Sequence, residues 1–143
     1  MKKYLLIFLL SFFVYKTDAQ TRSYMQREVV GQSVNGPISQ VPQNMSTWVK
    51  WSDDGSTITM LDGTIWKYQG QDYSGVHHYR YSGTSGLQMP GTNYIEAMFS
   101  RDYKIMQINY TFGMMGMVTR MCSRWAYIGD GENNAYDWMD GNY

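Results

Sequence analysis

From Met45 onward apolar and polar side chains alternate along most of this chain, and a period of two predicts strands rather than helices. Thr47 to Trp51, Ser56 to Leu61 and Thr64 to Gln69 are three such runs, divided by Asp54-Gly55 and Asp62-Gly63. Asp-Gly supplies the positive φ that tight hairpin turns need, so the three runs read as a meander. A two-residue loop at Asp62-Gly63 sets Met60 opposite Ile65, Thr59 opposite Trp66, Ile58 opposite Lys67 and Thr57 opposite Tyr68. Opposed residues share a face. Ile58, Met60 and Ile65 then form a core face, and Thr57, Thr59, Trp66 and Tyr68 form a semi-polar aromatic surface.

Val76 to Ser82 continues as a strand, with His77, Tyr79 and Tyr81 on one side and His78 and Arg80 on the other. Gly83 to Thr92 is the longest internal loop. Tyr94 to Phe99 and Tyr103 to Phe112 form a second hairpin around Arg101-Asp102. Its alternation places Ile95, Ala97, Phe99, Met106, Ile108 and Tyr110 on one side, and Tyr94, Glu96, Gln107 and Asn109 on a wet side. Gly113 to Gly116 turns into a long last strand, Met117 to Ile128, and Glu132 to Met139 suits one or two turns of helix. Trp51-Ser52-Asp53-Asp54-Gly55 and Phe99-Ser100-Arg101-Asp102 share an aromatic-Ser-x-Asp pattern, which is turn chemistry rather than a repeat. About seven strands joined by short loops predict an all-β antiparallel meander forming a barrel or half-open barrel, with a two-layer β-sandwich as the alternative.

The start of the chain breaks this pattern. Lys2 and Lys3 precede an almost unbroken apolar run from Tyr4 to Tyr15, and Thr17-Asp18-Ala19 puts small residues before a cut. That is the pattern of a secretory signal peptide covering residues 1–19. Its apolar stretch of about twelve residues is too short for the roughly 20 that span a bilayer. The expected location is therefore periplasmic or extracellular, with no transmembrane span once the signal is removed. Gln20 to Asn44 is polar, contains Pro37 and Pro42, and reads as a flexible arm with room for one edge strand. Residues 45–143 make a single β-domain.

Charge narrows the function. The signal takes Lys2, Lys3, Lys16 and Asp18 with it, so twelve basic and twelve acidic residues become nine and eleven. A nearly neutral chain without a basic cluster lacks the electrostatic footprint of a nucleic-acid binder. Cys122 is the single cysteine, which rules out an internal disulfide and leaves stability to core packing. On a strand it reads as a small buried hydrophobe.

No nucleophile elbow, zinc-helix or phosphate-loop motif is present, and no cofactor motif. His77 and His78 point to opposite faces of a strand and cannot chelate one ion together. Met114, Met115, Met117 and Met121 cluster, and thioethers suit Cu(I). Methionine is also spread along the chain at Met45, Met60, Met89, Met98 and Met106, as a filler of irregular cores would be. Asp53, Asp54 and Asp62 lack the alternating spacing of a calcium loop. Acid–base chemistry could draw on Glu96 or Asp72 from converging strands, and two carboxylates facing each other in a cleft would be its signature. The aromatic face carries more weight: Trp66 and Tyr68, edged by Thr57 and Thr59 and extended by Tyr79, Tyr81 or Trp48, could stack a sugar ring. The competing reading is that these rings are core, the commoner fate of Trp on a strand. The expectation is an exported, non-catalytic binding module for glycan or another cell-envelope component. The alternative is a structural or protein-interaction component of the envelope with no small ligand.

Overall fold

The structure, a computed structural model, describes residues 20–33, 36–40, 45–84, 91–114 and 117–132. These form nine strands: β1 (Thr21–Ser33), β2 (Gly36–Gln40), β3 (Ser46–Trp51), β4 (Thr57–Met60), β5 (Thr64–Gln71), β6 (His77–Thr84), β7 (Thr92–Phe99), β8 (Ile105–Met114) and β9 (Met117–Asp130). Neighbours run antiparallel from β3 through β9, and β1 pairs with both β3 and β9. Eight strands therefore close into a barrel, and β2 lies as an extra strand against the far half of β1. The barrel is the architecture the chain adopts, not the sandwich. The helical stretch expected after Glu132 lies outside the described residues.

The strand that closes the barrel comes from the stretch expected as an arm. One edge of β1 pairs with β9 from Arg22 to Gln32, while the other pairs first with β3 and then with β2. Two register shifts against β9, after Ser23 and after Gln26, break the period of two. Tyr24 and Val29 are both buried although five residues apart, a spacing that unbroken alternation forbids.

A second correction concerns the register of β4 and β5. The Gly63 amide donates to the Met60 carbonyl at 2.9 Å, and Gly63 has φ 84°. Leu61-Asp62-Gly63 is thus a three-residue loop with a left-handed glycine at its end. One residue more in the loop slides the pairing by one: Thr57 faces Lys67, Ile58 faces Trp66 and Thr59 faces Ile65. Trp66 joins Ile58 and Met60 inside the barrel instead of leaving them. In β7 a shift between Tyr94 and Glu96 has the same consequence. Tyr94 turns in against Trp66, with ring centroids 5.6 Å apart, and Ile95 turns out, reversing the expected sides.

An eight-stranded barrel is just wide enough for side chains to fill it, and here rings do so. Trp51, Trp66, Tyr79, Phe99 and Trp125 are all buried. Edge-on contacts such as Trp51–Tyr103 at 5.5 Å and 90°, and Tyr79–Phe99 at 5.4 Å and 79°, suit their quadrupoles. Each buried indole N–H has a partner. Trp66 donates to the Thr64 hydroxyl and Trp125 to the Ser123 hydroxyl, both at 2.9 Å and both two residues back on the same face. Trp51 donates to the Tyr79 hydroxyl at 3.0 Å. The outer face carries the exposed charges of Lys67, Arg80 and Arg124. Rings inside and charges outside is the reverse of a barrel whose outside meets lipid. Among the described residues no helix is long and apolar enough to cross a membrane.

Candidate functional site: a recess beside β6

β6 is flanked by two irregular strands. The β5–β6 register shifts between Tyr68 and Gly70, and that of β7 against β8 shifts between Tyr94 and Glu96. Gln69 and Ile95 sit at these shifts. Both line an open recess of about 450 Å³ on the outside of the barrel, together with Gly70, Gln71, Asp72, His78, Arg80 and Glu96. Irregular strand positions re-aim side chains and open local space. Gly70 adds to that space, since nothing lies within 4 Å of where its side chain would be.

His78 stands at the centre of the polar groups. Its Nδ1 lies 2.5 Å from Glu96 Oε1 and its Nε2 lies 2.8 Å from Asp72 Oδ2. Ionised carboxylates only accept, so this geometry favours the imidazolium, in which both ring nitrogens donate. Asp72 first, then Glu96, hold the His78 pKa above its ordinary value. His78 in turn is the largest cause holding the Asp72 carboxyl below the usual carboxylate range. Asp72 is further fixed by its own turn, where Oδ1 accepts the amides of Ser74 at 2.8 Å and Val76 at 3.1 Å. The two carboxylates approach opposite edges of the imidazole, and among the described residues no group of three or more His, Cys, Asp or Glu could hold a metal ion.

The glutamines of the recess are oriented by the backbone. Gln71 Nε2 donates to the Gly75 carbonyl at 2.9 Å, and Gln69 Nε2 to the carbonyls of Lys67 and Tyr68 at 3.3 and 3.4 Å. Their amide nitrogens are thereby engaged, which leaves the side-chain carbonyls to accept from a ligand.

His77, one residue earlier, belongs to the other face. Its ring stacks on Tyr103 at 4.1 Å and 19°. Nε2 donates to the Arg101 carbonyl at 3.3 Å, and Nδ1 lies 3.0 Å from the Tyr68 hydroxyl. The two histidines thus point apart, as alternation requires.

The aromatic platform expected from the sequence is not assembled on the surface. Trp66 and Tyr79 are buried in the interior, and Tyr81 packs there against Trp66 at 5.4 Å. Tyr68 lies between Tyr79 and His77, 36% exposed. Thr57 and Thr59 are half-buried on the outer face, on the opposite side of the sheet from Trp66, because the register differs by one. Of the methionine cluster, Met121 packs over Gly31, where an added Cβ would lie 2.5 Å from its Sδ. Met115 and the side chains of Met114 and Met117 lie outside the described residues. Cys122 is half-buried, and burial pushes its thiol up, away from nucleophilic use. Asp54 holds its turn through the Ser56 amide and the hydroxyls of Ser56 and Ser52, which bring its pKa down to about 2.

Asp72 and Glu96 are the two carboxylates the sequence nominated, and the structure brings both into one recess with His78 between them. The part of His78 had no signal in the sequence, because its partners lie six residues back across a turn and eighteen residues forward on the next strand. Compared with known proteins, the chain matches no family model, no curated protein and no solved structure.

Proposed function

We propose that this chain is an exported, non-catalytic binding protein that takes a glycan or a related polyhydroxylated envelope component in the recess beside β6. The observation that carries this reading is the Asp72–His78–Glu96 cluster, fixed at both ring nitrogens within an open concavity. Sugar hydroxyls donate to carboxylates and amide carbonyls and accept from a guanidinium, and the recess holds all three kinds of group. Ile95, half-exposed at its wall, offers an apolar side for a ring's C–H face.

The same cluster speaks against acid–base catalysis. A catalytic acid or base exchanges its proton near the working pH, whereas here Asp72 and His78 each hold the other in its charged form. A concave site also favours a ligand over a docked chain. A docking strand would use the outer edge of β2, where Pro37 removes one amide donor.

The test is retention of the mature protein on a panel of immobilised polysaccharides. Retention is expected, with loss in Glu96→Gln and His78→Gln variants whose circular dichroism stays that of the native barrel. Failure to bind any polysaccharide, or binding indifferent to both substitutions, overturns the reading.

A further inference from the structure

We propose that the sugar taken by this recess is acidic, its oxyanion held between Arg80 and Lys67. The proposal rests on the glycan reading above and names the chemical class of the ligand.

Lys67 and Arg80 are direct partners in the β5–β6 register, and both are exposed on the outer face. Side chains so opposed have Cβ atoms about 4.5–5.5 Å apart, and like charges there repel. Two other exposed cations have carboxylate partners: Lys50 pairs with Glu132 at 2.8 Å and Arg124 with Glu28 at 3.5 Å. Among the described residues, neither Lys67 nor Arg80 enters an ion pair.

The register does offer Arg80 a carboxylate, since Glu96 lies directly opposite it on β7. That carboxylate is taken by the imidazolium of His78 at 2.5 Å. The local balance is then three cations, Lys67, His78 and Arg80, against two anions, Asp72 and Glu96. A ligand with one negative charge brings the site to neutrality.

Arg80 also lines the recess, so an anion on it sits beside the acceptors that would take hydroxyls. A neutral sugar satisfies those acceptors but leaves the two cations facing each other. A sugar carrying a carboxylate or sulfate does both, and the planar guanidinium fork matches such an oxyanion. Carboxylate and sulfate share this chemistry, so the experiment separates them.

The experiment is calorimetric titration of the full mature protein with three oligosaccharides of equal length: one neutral, one built of uronic acids, one sulfated. At low salt at least one acidic ligand is expected to bind about tenfold or more tightly than the neutral one. Arg80→Gln and Lys67→Gln are expected to remove most of that advantage, as is raising salt to about 1 M, where screening acts within about 3 Å. The preferred acidic ligand identifies the oxyanion. Equal affinity for neutral and acidic sugars, or an acidic preference that survives both substitutions, overturns the proposal. If His78→Gln still abolishes binding in that case, the glycan reading stands without it. No binding of any of the three sugars overturns both.

Discussion

The two faces of β6 are ordered by different physics. Inward, Tyr79 is surrounded by rings: Phe99 at 5.4 Å, Tyr68 at 4.9 Å, and the Trp51 indole on its hydroxyl. Outward, His78 is held by two charges and open to water, with its side chain 29% exposed. Adjacent residues of one strand thus sit in a packed interior and in a solvated charge cluster. The inside resists change because many contacts fix each ring. The outside is tunable because pH and salt act on it directly. The largest effect of a single change is therefore expected inside. Tyr79→Ala should cost about 3–5 kcal/mol, the range for emptying an aromatic site in a core. Tyr79→Phe keeps the ring but leaves the Trp51 N–H without its acceptor, costing about 1–3 kcal/mol. Denaturant midpoints of the two variants check both values, and a Tyr79→Ala barrel as stable as the parent would erase the contrast.

Two turns sharpen the same contrast at smaller scale. In the turn from Ser52 to Thr57, Ser52 bonds Asp54 at 2.8 Å and accepts the Thr57 amide at 3.1 Å. In the turn from Ser100 to Ile105, Ser100 bonds Asp102 at 2.7 Å and accepts the Ile105 amide at 3.0 Å. The left-handed position is Gly55 in the first, with φ 74°, and Tyr103 in the second, with φ 59°. No neighbour lies within 4 Å of a Cβ at Gly55, so that turn serves only itself. Tyr103 is a bulky residue in a region that favours glycine, and the packing of its ring against Trp51, Phe99 and His77 holds it there. Gly55→Ala is expected to cost about 1 kcal/mol through backbone strain alone. Tyr103→Gly relieves the same strain yet should still lower the melting temperature, because the ring contacts outweigh it. A rise in melting temperature for Tyr103→Gly would mean that its ring does not close the barrel.

How much of this was legible in the sequence depends on where the period of two survives. β3 and β4 pair without a register shift, as does β6 with β7, and a barrel follows from their short loops. The pattern puts Trp66 on the outer face because Asp62-Gly63 reads as a two-residue turn, whereas the chain uses Leu61 as well. Tyr94 and Ile95 lie on the sides opposite to those alternation assigns, and β1 reads as an arm in the sequence, because a register shift erases alternation without leaving a residue type that marks it. The candidate site shares this cause. Gln69 and Ile95 reach the recess because they sit at register shifts, so a strictly periodic reading scatters the groups that the fold gathers around His78.

The smallest stability effect lies outside, and its sign is set by which groups are charged. Asp72 has a carboxyl held below its ordinary value, so its contribution is complete above about pH 4, the ordinary value of Asp, and fades as pH falls through the lowered one. His78 is held above its ordinary value, so its contribution is complete below about pH 6.5 and fades as pH rises through the raised one. Both are therefore present between about pH 4 and pH 6.5. His78→Gln removes the His78 contribution and the largest part of that of Asp72, leaving the part supplied by the Ser74 and Val76 amides. The difference in denaturation midpoint between the parent and His78→Gln should be greatest across that window and shrink on either side of it, while Tyr79→Phe should show no such pH dependence. A difference that instead grows above pH 6.5 would mean that His78 is held neutral, and the outer face of β6 would then offer no charge cluster to set against the packed interior.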